Sequence, residues 1–260
     1  MMNFAQIPML YRTKNGFYES ILSAATTLGY TLPNDNIQVA QMSLIDKLQQ
    51  IGVWYVLDVL YIFKTGDSGL SDFATLNWIL PASYQITLVN SPSFDGDGFT
   101  GNSTSSYLST NYNPSTNGIY YVRTSASRFS YITTAGSPQD TTNPLDGVSG
   151  GAQNLSFGAS TTAQRINQST TNLPSAGDLT GTGYKAINRP DASTVELYSE
   201  TTKTTFSRTD DVVFNSTQYI TRANAQYGNM EFSMYGMGGS MTETQHNNLR
   251  LAFLDYIADL

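Results

Sequence analysis

Beyond Pro81 the chain breaks into short segments rich in Tyr, Val, Ile, Phe and Thr, separated by clusters of Gly, Asn, Ser and Pro. Ten such segments stand out, at 84–90, 105–110, 118–126, 128–135, 155–161, 164–169, 181–188, 194–200, 203–209 and 230–239. Alternating apolar and polar side chains put one face of a strand in a core and the other in water, and the intervening residues have turn chemistry. So many short strands with turns between them predict an antiparallel sandwich or jelly roll. Composition agrees: Ser, Thr and Asn together make up about three in ten residues, and charged residues 13%. The first group suits turns and strand surfaces and competes with the backbone inside helices.

The residues before Pro81 read differently. Phe17, Ile21, Ala24, Ala25 and Leu28 recur at helical spacing, and Gly29 and Pro33 mark the end of that helix. A second helix follows, capped by Asn34 or Asn36, with Ile37, Ala40, Leu44, Ile45 and Leu48 on its stripe and Gly52 after it. The apolar run 53–63 is longer than most strands and predicts a third, buried helix. A short helical turn is expected at 73–78. At the other end, Thr242 and Gln245 have capping-box spacing, and Leu249, Ala252, Phe253, Tyr256 and Ile257 form an amphipathic helix. The expected division is a helical region at 1–80 and a β-sandwich with a C-terminal helix at 81–260.

Charge excludes several classes of partner. The net charge is -7, and the Lys and Arg residues stand singly rather than in a basic patch. Binding to nucleic acid or to an anionic membrane surface by charge is not expected. The longest apolar run is broken by Asp58 and is too short to span a bilayer. The first residues lack the charged and apolar regions of a secretory signal. With no cysteine and one histidine there are no disulfides and few ligands for a transition metal.

In order along the chain stand "NSPSFDGDGFTGNSTSSYLST", "RPDASTVELYSETTKTTFSRT" and "FSMYGMGGSMTETQHNNLRLAFLDYIADL". This order resembles the concanavalin A-like (LamG/pentraxin-like) jelly-roll modules of bacteriophage virion proteins. In that family a GFTGN-S-YL stretch opens the sandwich. A later hairpin presents a small-residue loop, here "YSETTKT", and a final strand with Gly-rich turns leads into a C-terminal helix. The upstream "LIDKLQQIGVWYVLDVLYIF" is similar to the helical prefix of such modules. The resemblance covers roughly residues 40–260. It implies a mainly β, concanavalin A-like jelly-roll sandwich acting as a non-enzymatic structural component of a virion: a head fibre, spike, decoration or tail protein. Other virion proteins and copies of the same chain are the implied partners, and host surface glycans are a further one. The apolar load of 42–63 is expected to bury against a neighbouring subunit or against the jelly roll.

Candidate chemistry is sparse. Asp95 and Asp97 occupy the first two ligand positions of a calcium loop, but Phe99, Thr100 and Ser106 fall where the remaining ligands and the turn glycine belong. A calcium site built from these two aspartates and a distant oxygen stands beside the plainer reading, a pair of Asx turns. No other cofactor is implied. Glu196 and Glu200 share a strand face, the arrangement a glycoside hydrolase needs, but solvated surface positions are expected for both. Asp210 and Asp211 read as a turn. His246, among Gln245, Asn247 and Asn248, reads as part of a solvated helix face. The stretch 147–153 lacks the lysine of a phosphate-binding loop. Tyr112, Tyr184, Tyr198 and Tyr227 lie beside polar neighbours and are the candidates for a carbohydrate surface, where a flat ring meets a pyranose face.

Overall fold

The computed structural model describes residues 16–139, 142–148, 154–156, 164–167 and 179–260. Helices α1 (Gly16–Leu28) and α2 (Asp35–Gln50) form where the apolar stripes predict them. Asn34 caps α2, its side-chain oxygen accepting from the backbone N–H groups of Asn36 and Ile37 at 3.1 Å each.

The run 53–63 is not a helix. A single 3-10 turn at Trp54–Val56 leads into a strand, β1 (Leu57–Ile62), every residue of which is buried. Leu57, Leu60 and Ile62 join a core shared with the helices, while Val59 and Tyr61 join the core on the other side. A strand covered on both faces has no polar face to reveal its period of two. Its sequence is therefore an unbroken apolar run, which periodicity cannot distinguish from a buried helix.

The other strands follow in chain order: β2 (Thr87–Val89), β3 (Ser93–Phe94), β4 (Phe99–Thr100), β5 (Tyr107–Ser109), β6 (Ala126–Thr134), β7 (Pro144–Val148), β8 (Asn154–Ser156), β9 (Gly183–Arg189), β10 (Thr194–Ser199), β11 (Thr202–Ser207), β12 (Gln218–Ile220), β13 (Arg222–Ala223), β14 (Gln226–Tyr227) and β15 (Glu231–Gly238). Short helices α3 (Ser71–Ala74) and α4 (Pro114–Asn117) interrupt them, and α5 (Glu243–Ala258) closes the chain with the capping box in place.

Two large antiparallel sheets and a separate two-stranded sheet, β13-β14, result. The larger has eight strands in the order β11-β10-β9-β6-β15-β4-β3, with β1 beside β15 as well. The first residues of β15 pair with β4, and those from Met234 onward pair with β1. The smaller sheet runs β2-β5-β12-β7-β8. One face of the large sheet packs on α1, α2 and α5; the other packs on the small sheet. The molecule is thus a mainly β jelly-roll sandwich backed by helices on one side, the class predicted from the strand pattern. A buried ion pair joins the sheets: Arg128 on β6 donates to Asp146 on β7 at 3.0 Å, and Tyr235 on β15 donates to the other carboxylate oxygen at 2.8 Å.

Two further expectations change. Most of 118–126 is a loop, because the backbone N–H groups of Ile119, Tyr120 and Tyr121 donate to the Asp58 carboxylate at 3.1, 3.0 and 2.8 Å instead of to a neighbouring strand. A register shift between Leu57 and Val59 marks a bulge in β1 at Asp58, and bulges of this kind redirect a side chain. No strand forms at 164–167, and 168–169 and 157–161 lie outside the described residues. β7 and β12, which complete the small sheet, were not among the predicted strands.

Candidate functional site

The outer face of the small sheet carries an aromatic cluster. On β5, Leu108 points into the core and Tyr107 therefore points outward; on β12, Ile220 and Tyr219 divide in the same way. Tyr219 pairs with Ser109, which puts Tyr107 diagonally across from it on the same face. Their ring centroids are 5.2 Å apart in an edge-on arrangement. The β13–β14 hairpin then folds back over this face. Its Tyr227 ring comes within 6.1 Å of Tyr107, and the Arg222 guanidinium lies 4.5, 4.8 and 5.6 Å from the ring centroids of Tyr107, Tyr219 and Tyr227. All four side chains are half-buried.

The hairpin can approach so closely because β7 presents Gly147 beneath it. A Cβ there would stand 2.5 Å from the Ala223 Cβ. Beside the cluster, the hydroxyl-rich loop 102–106 is held by the Asn102 side chain, which accepts from the backbone N–H groups of Thr104, Ser105 and Ser106 at 3.0, 2.8 and 2.9 Å. Ser103 N–H reaches the Gly228 carbonyl at the end of the hairpin. An aromatic cluster with hydroxyls and amides along its edge has the two components that sugar recognition needs: apolar area for a pyranose face and donors and acceptors for its hydroxyls.

Of the tyrosines picked from sequence, only Tyr227 belongs to this cluster. Tyr112, Tyr184 and Tyr198 are fully buried. The Tyr112 hydroxyl donates to Asp58 at 2.8 Å, and burial, with that carboxylate beside it, pushes its pKa far above the usual tyrosine range. Tyr107, Tyr219 and Arg222 were missed. The signal that could have found them is the pair of dipeptides Tyr107-Leu108 and Tyr219-Ile220, in which an aliphatic core residue forces the preceding tyrosine outward.

The acidic candidates are engaged with the protein itself. The Asp95 carboxylate accepts from the Asp97 backbone N–H at 2.8 Å, closing an Asx turn, and Asp97 pairs with Lys64. Among the described residues no group of three His, Cys, Asp or Glu side chains could hold a metal ion. Glu196 is largely covered rather than solvated: it accepts from Asn188 at 2.8 Å and from the Tyr198 hydroxyl at 2.9 Å. Glu200 accepts from the Tyr184 backbone N–H at 2.8 Å and lies 3.4 Å from Arg250. Asp210 pairs with Arg123 at 2.6 Å in a loop, and Asp211 binds the backbone N–H of Val212. Residues 149–153 of the glycine-rich stretch lie outside the described residues.

His246 is not on a solvated face. It is buried between α5 and the large sheet, its Nδ1 2.6 Å from the Tyr184 hydroxyl and its ring stacked on Tyr198 at 4.1 Å. Its Nε2 has no hydrogen-bond partner among the described residues. Burial, reinforced by nearby Lys203, lowers its pKa from 6.5 to about 3. A neutral ring locked in packing is not a base presented to a cleft. A groove of about 420 Å³ between α1 and the 81–85 segment is lined by residues without a titratable side chain, such as Ser20, Ser23, Ala24 and Gln85.

Fold and site together define a helix-backed β-sandwich with an aromatic outer face. No family model matches the chain, and no curated protein does. Solved structures similar in fold include domain 4 of the extracellular arabinanase AbnA from Geobacillus stearothermophilus, in complex with arabinotriose, at 13% identity and a TM-score of 0.43, covering 75% of this chain and 98% of that one. The sialidase of Trypanosoma rangeli in complex with sialic acid follows at 10% identity and 0.49, covering 83% of this chain and 39% of the sialidase. The binding domain of botulinum neurotoxin serotype D has 10% identity and a TM-score of 0.45, with 79% of this chain and 52% of the other covered. The chain therefore spans 39% of the sialidase chain and 52% of the toxin chain. Likenesses at this distance say nothing of what this chain binds.

Proposed function

We propose that this protein is a non-catalytic adhesion module that holds carbohydrate on the outer face of its small sheet. The observation that carries this reading is the cluster of Tyr107, Tyr219 and Tyr227 around Arg222, half-buried and edged by the hydroxyls and amides of 102–106. Rings held by one another and by a guanidinium lose little freedom when a sugar stacks on them. The non-catalytic part is supported by the hydrogen bonds that engage Glu196 and Glu200 and by the burial of His246. The virion location rests on the sequence resemblance alone, which places such a module at a particle surface facing host glycans.

The test is a glycan array with purified protein, with and without calcium, followed by titration of a retained oligosaccharide. Tyr219→Ala is expected to weaken binding by about tenfold or more with the fold intact by circular dichroism. Absence of any retained glycan, or full binding by Tyr219→Ala, would overturn the proposal.

A further inference from the structure

Arg222, like Arg189 and Arg208, has no carboxylate partner among the described residues, but it alone of the described cations lies over aromatic rings. Lys47, Lys64, Arg123, Arg128, Lys203 and Arg250 each pair with a carboxylate. Arg222 donates from Nε to the Asn224 carbonyl at 3.1 Å, which fixes the plane of the group. Its two terminal nitrogens donate to nothing, and no carboxylate pairs with it, among the described residues. The charge is retained on a chain whose net charge is -7, where carboxylates to neutralise it are plentiful. Three aromatic faces surround it. Rings lower the local polarity and strengthen whatever anion the fork meets, and they satisfy none of its N–H donors.

We infer that the ligand of this face is an acidic sugar, one whose pyranose ring stacks on tyrosine while its carboxylate takes the free end of the Arg222 fork. A guanidinium held in plane by its own Nε bond presents two parallel N–H groups, the geometry that matches a carboxylate in two simultaneous hydrogen bonds. Uronic acids and sialic acids both carry a carboxylate directly on the ring, which allows ring stacking and charge pairing over one short distance. This inference rests on the carbohydrate reading and narrows it.

Matched probes separate the two. Oligogalacturonate is compared with its methyl ester, and sialyllactose with its carboxylate methyl ester, by calorimetry on the full chain. The acidic member of at least one pair is expected to bind about 10- to 100-fold more tightly than its neutral partner. Arg222→Gln is expected to abolish that preference, so that the acidic and neutral members of a pair bind alike. Arg222→Lys keeps the charge without the fork and is expected to retain part of the preference. If acidic and neutral members bind equally, or if Arg222→Gln keeps the preference while melting like wild type, the inference is wrong and the carbohydrate reading stands. If no member of either pair binds and the array is blank, the carbohydrate reading fails with it.

Discussion

His246 shows how a residue's sequence neighbours mislead about its environment. Gln245, Asn247 and Asn248 surround it in sequence, but on α5 it shares its stripe with Leu249, Phe253 and Tyr256, all of them buried. The spacing of three and four between these positions was legible in the sequence; the flanking amides drew attention away from it. A protonated ring would carry two N–H donors, and among the described residues only the Tyr184 hydroxyl is available as a partner. The folded state therefore refuses a proton until about pH 3, whereas the unfolded chain takes one up near 6.5. The stability tied to the neutral ring is intact above about pH 6.5 and is lost progressively as pH falls from 6.5 toward 3. Between pH 7.5 and 5.0 this amounts to about 2 kcal/mol. Denaturant unfolding at the two pH values is expected to show that loss in wild type, and a flatter dependence in His246→Phe. Asp58 makes the opposite point. Its carboxylate satisfies three consecutive backbone N–H groups and the Tyr112 hydroxyl. Asp58→Ala leaves all four donors stranded or exposed, and is expected to cost about 3 kcal/mol in the same assay.

At the scale of elements, local signals were readable and long-range ones were not. The Asn34 cap, the capping box of α5 and the long strands β6, β9, β10, β11 and β15 follow from spacing and turn residues alone. β1 did not, because burial on both faces erases alternation. The two-residue strands β13 and β14 are too short to show any period, and their hairpin matters because of where it lands. It lies on Gly147, a position with no side chain in its way. Gly147→Ala would put a Cβ 2.9 Å from the Ala223 Cα, so the hairpin must shift. Tyr227 and Arg222 move with it. Carbohydrate binding by this variant is expected to fall as far as in Tyr219→Ala while the far-ultraviolet spectrum stays that of wild type. Unchanged binding would mean that the hairpin does not shape the site.

At the scale of the whole molecule, the boundary expected at residue 80 runs through a single sheet. β1 contributes Val59 and Tyr61 to the core between the sheets and pairs with β15 along most of its length. Its Asp58 holds the 119–121 loop, and the Tyr61 hydroxyl donates to the Tyr84 and Thr110 carbonyls. The apolar load that invited a neighbouring subunit is used inside the chain. The sequence could not reveal this, since nothing local in 53–63 says which strand it will lie against; that depends on the free edge of β15 beyond β4, 170 or so residues later. The tyrosine cluster was hidden for the same reason: Tyr107 and Tyr219 meet through the register of β5 and β12, and Tyr227 reaches them only where the β13–β14 hairpin folds back over that face. A chain of 81–260 would leave the β15 edge unpaired from Met234 to Gly238 and would uncover the face that α2 and β1 bury. Such a fragment is expected to give no cooperative melting transition and to aggregate, whereas the full chain melts in one step. A sharp transition from the fragment, with the carbohydrate affinity of the full chain, would show that the small sheet and its outer face stand without β1.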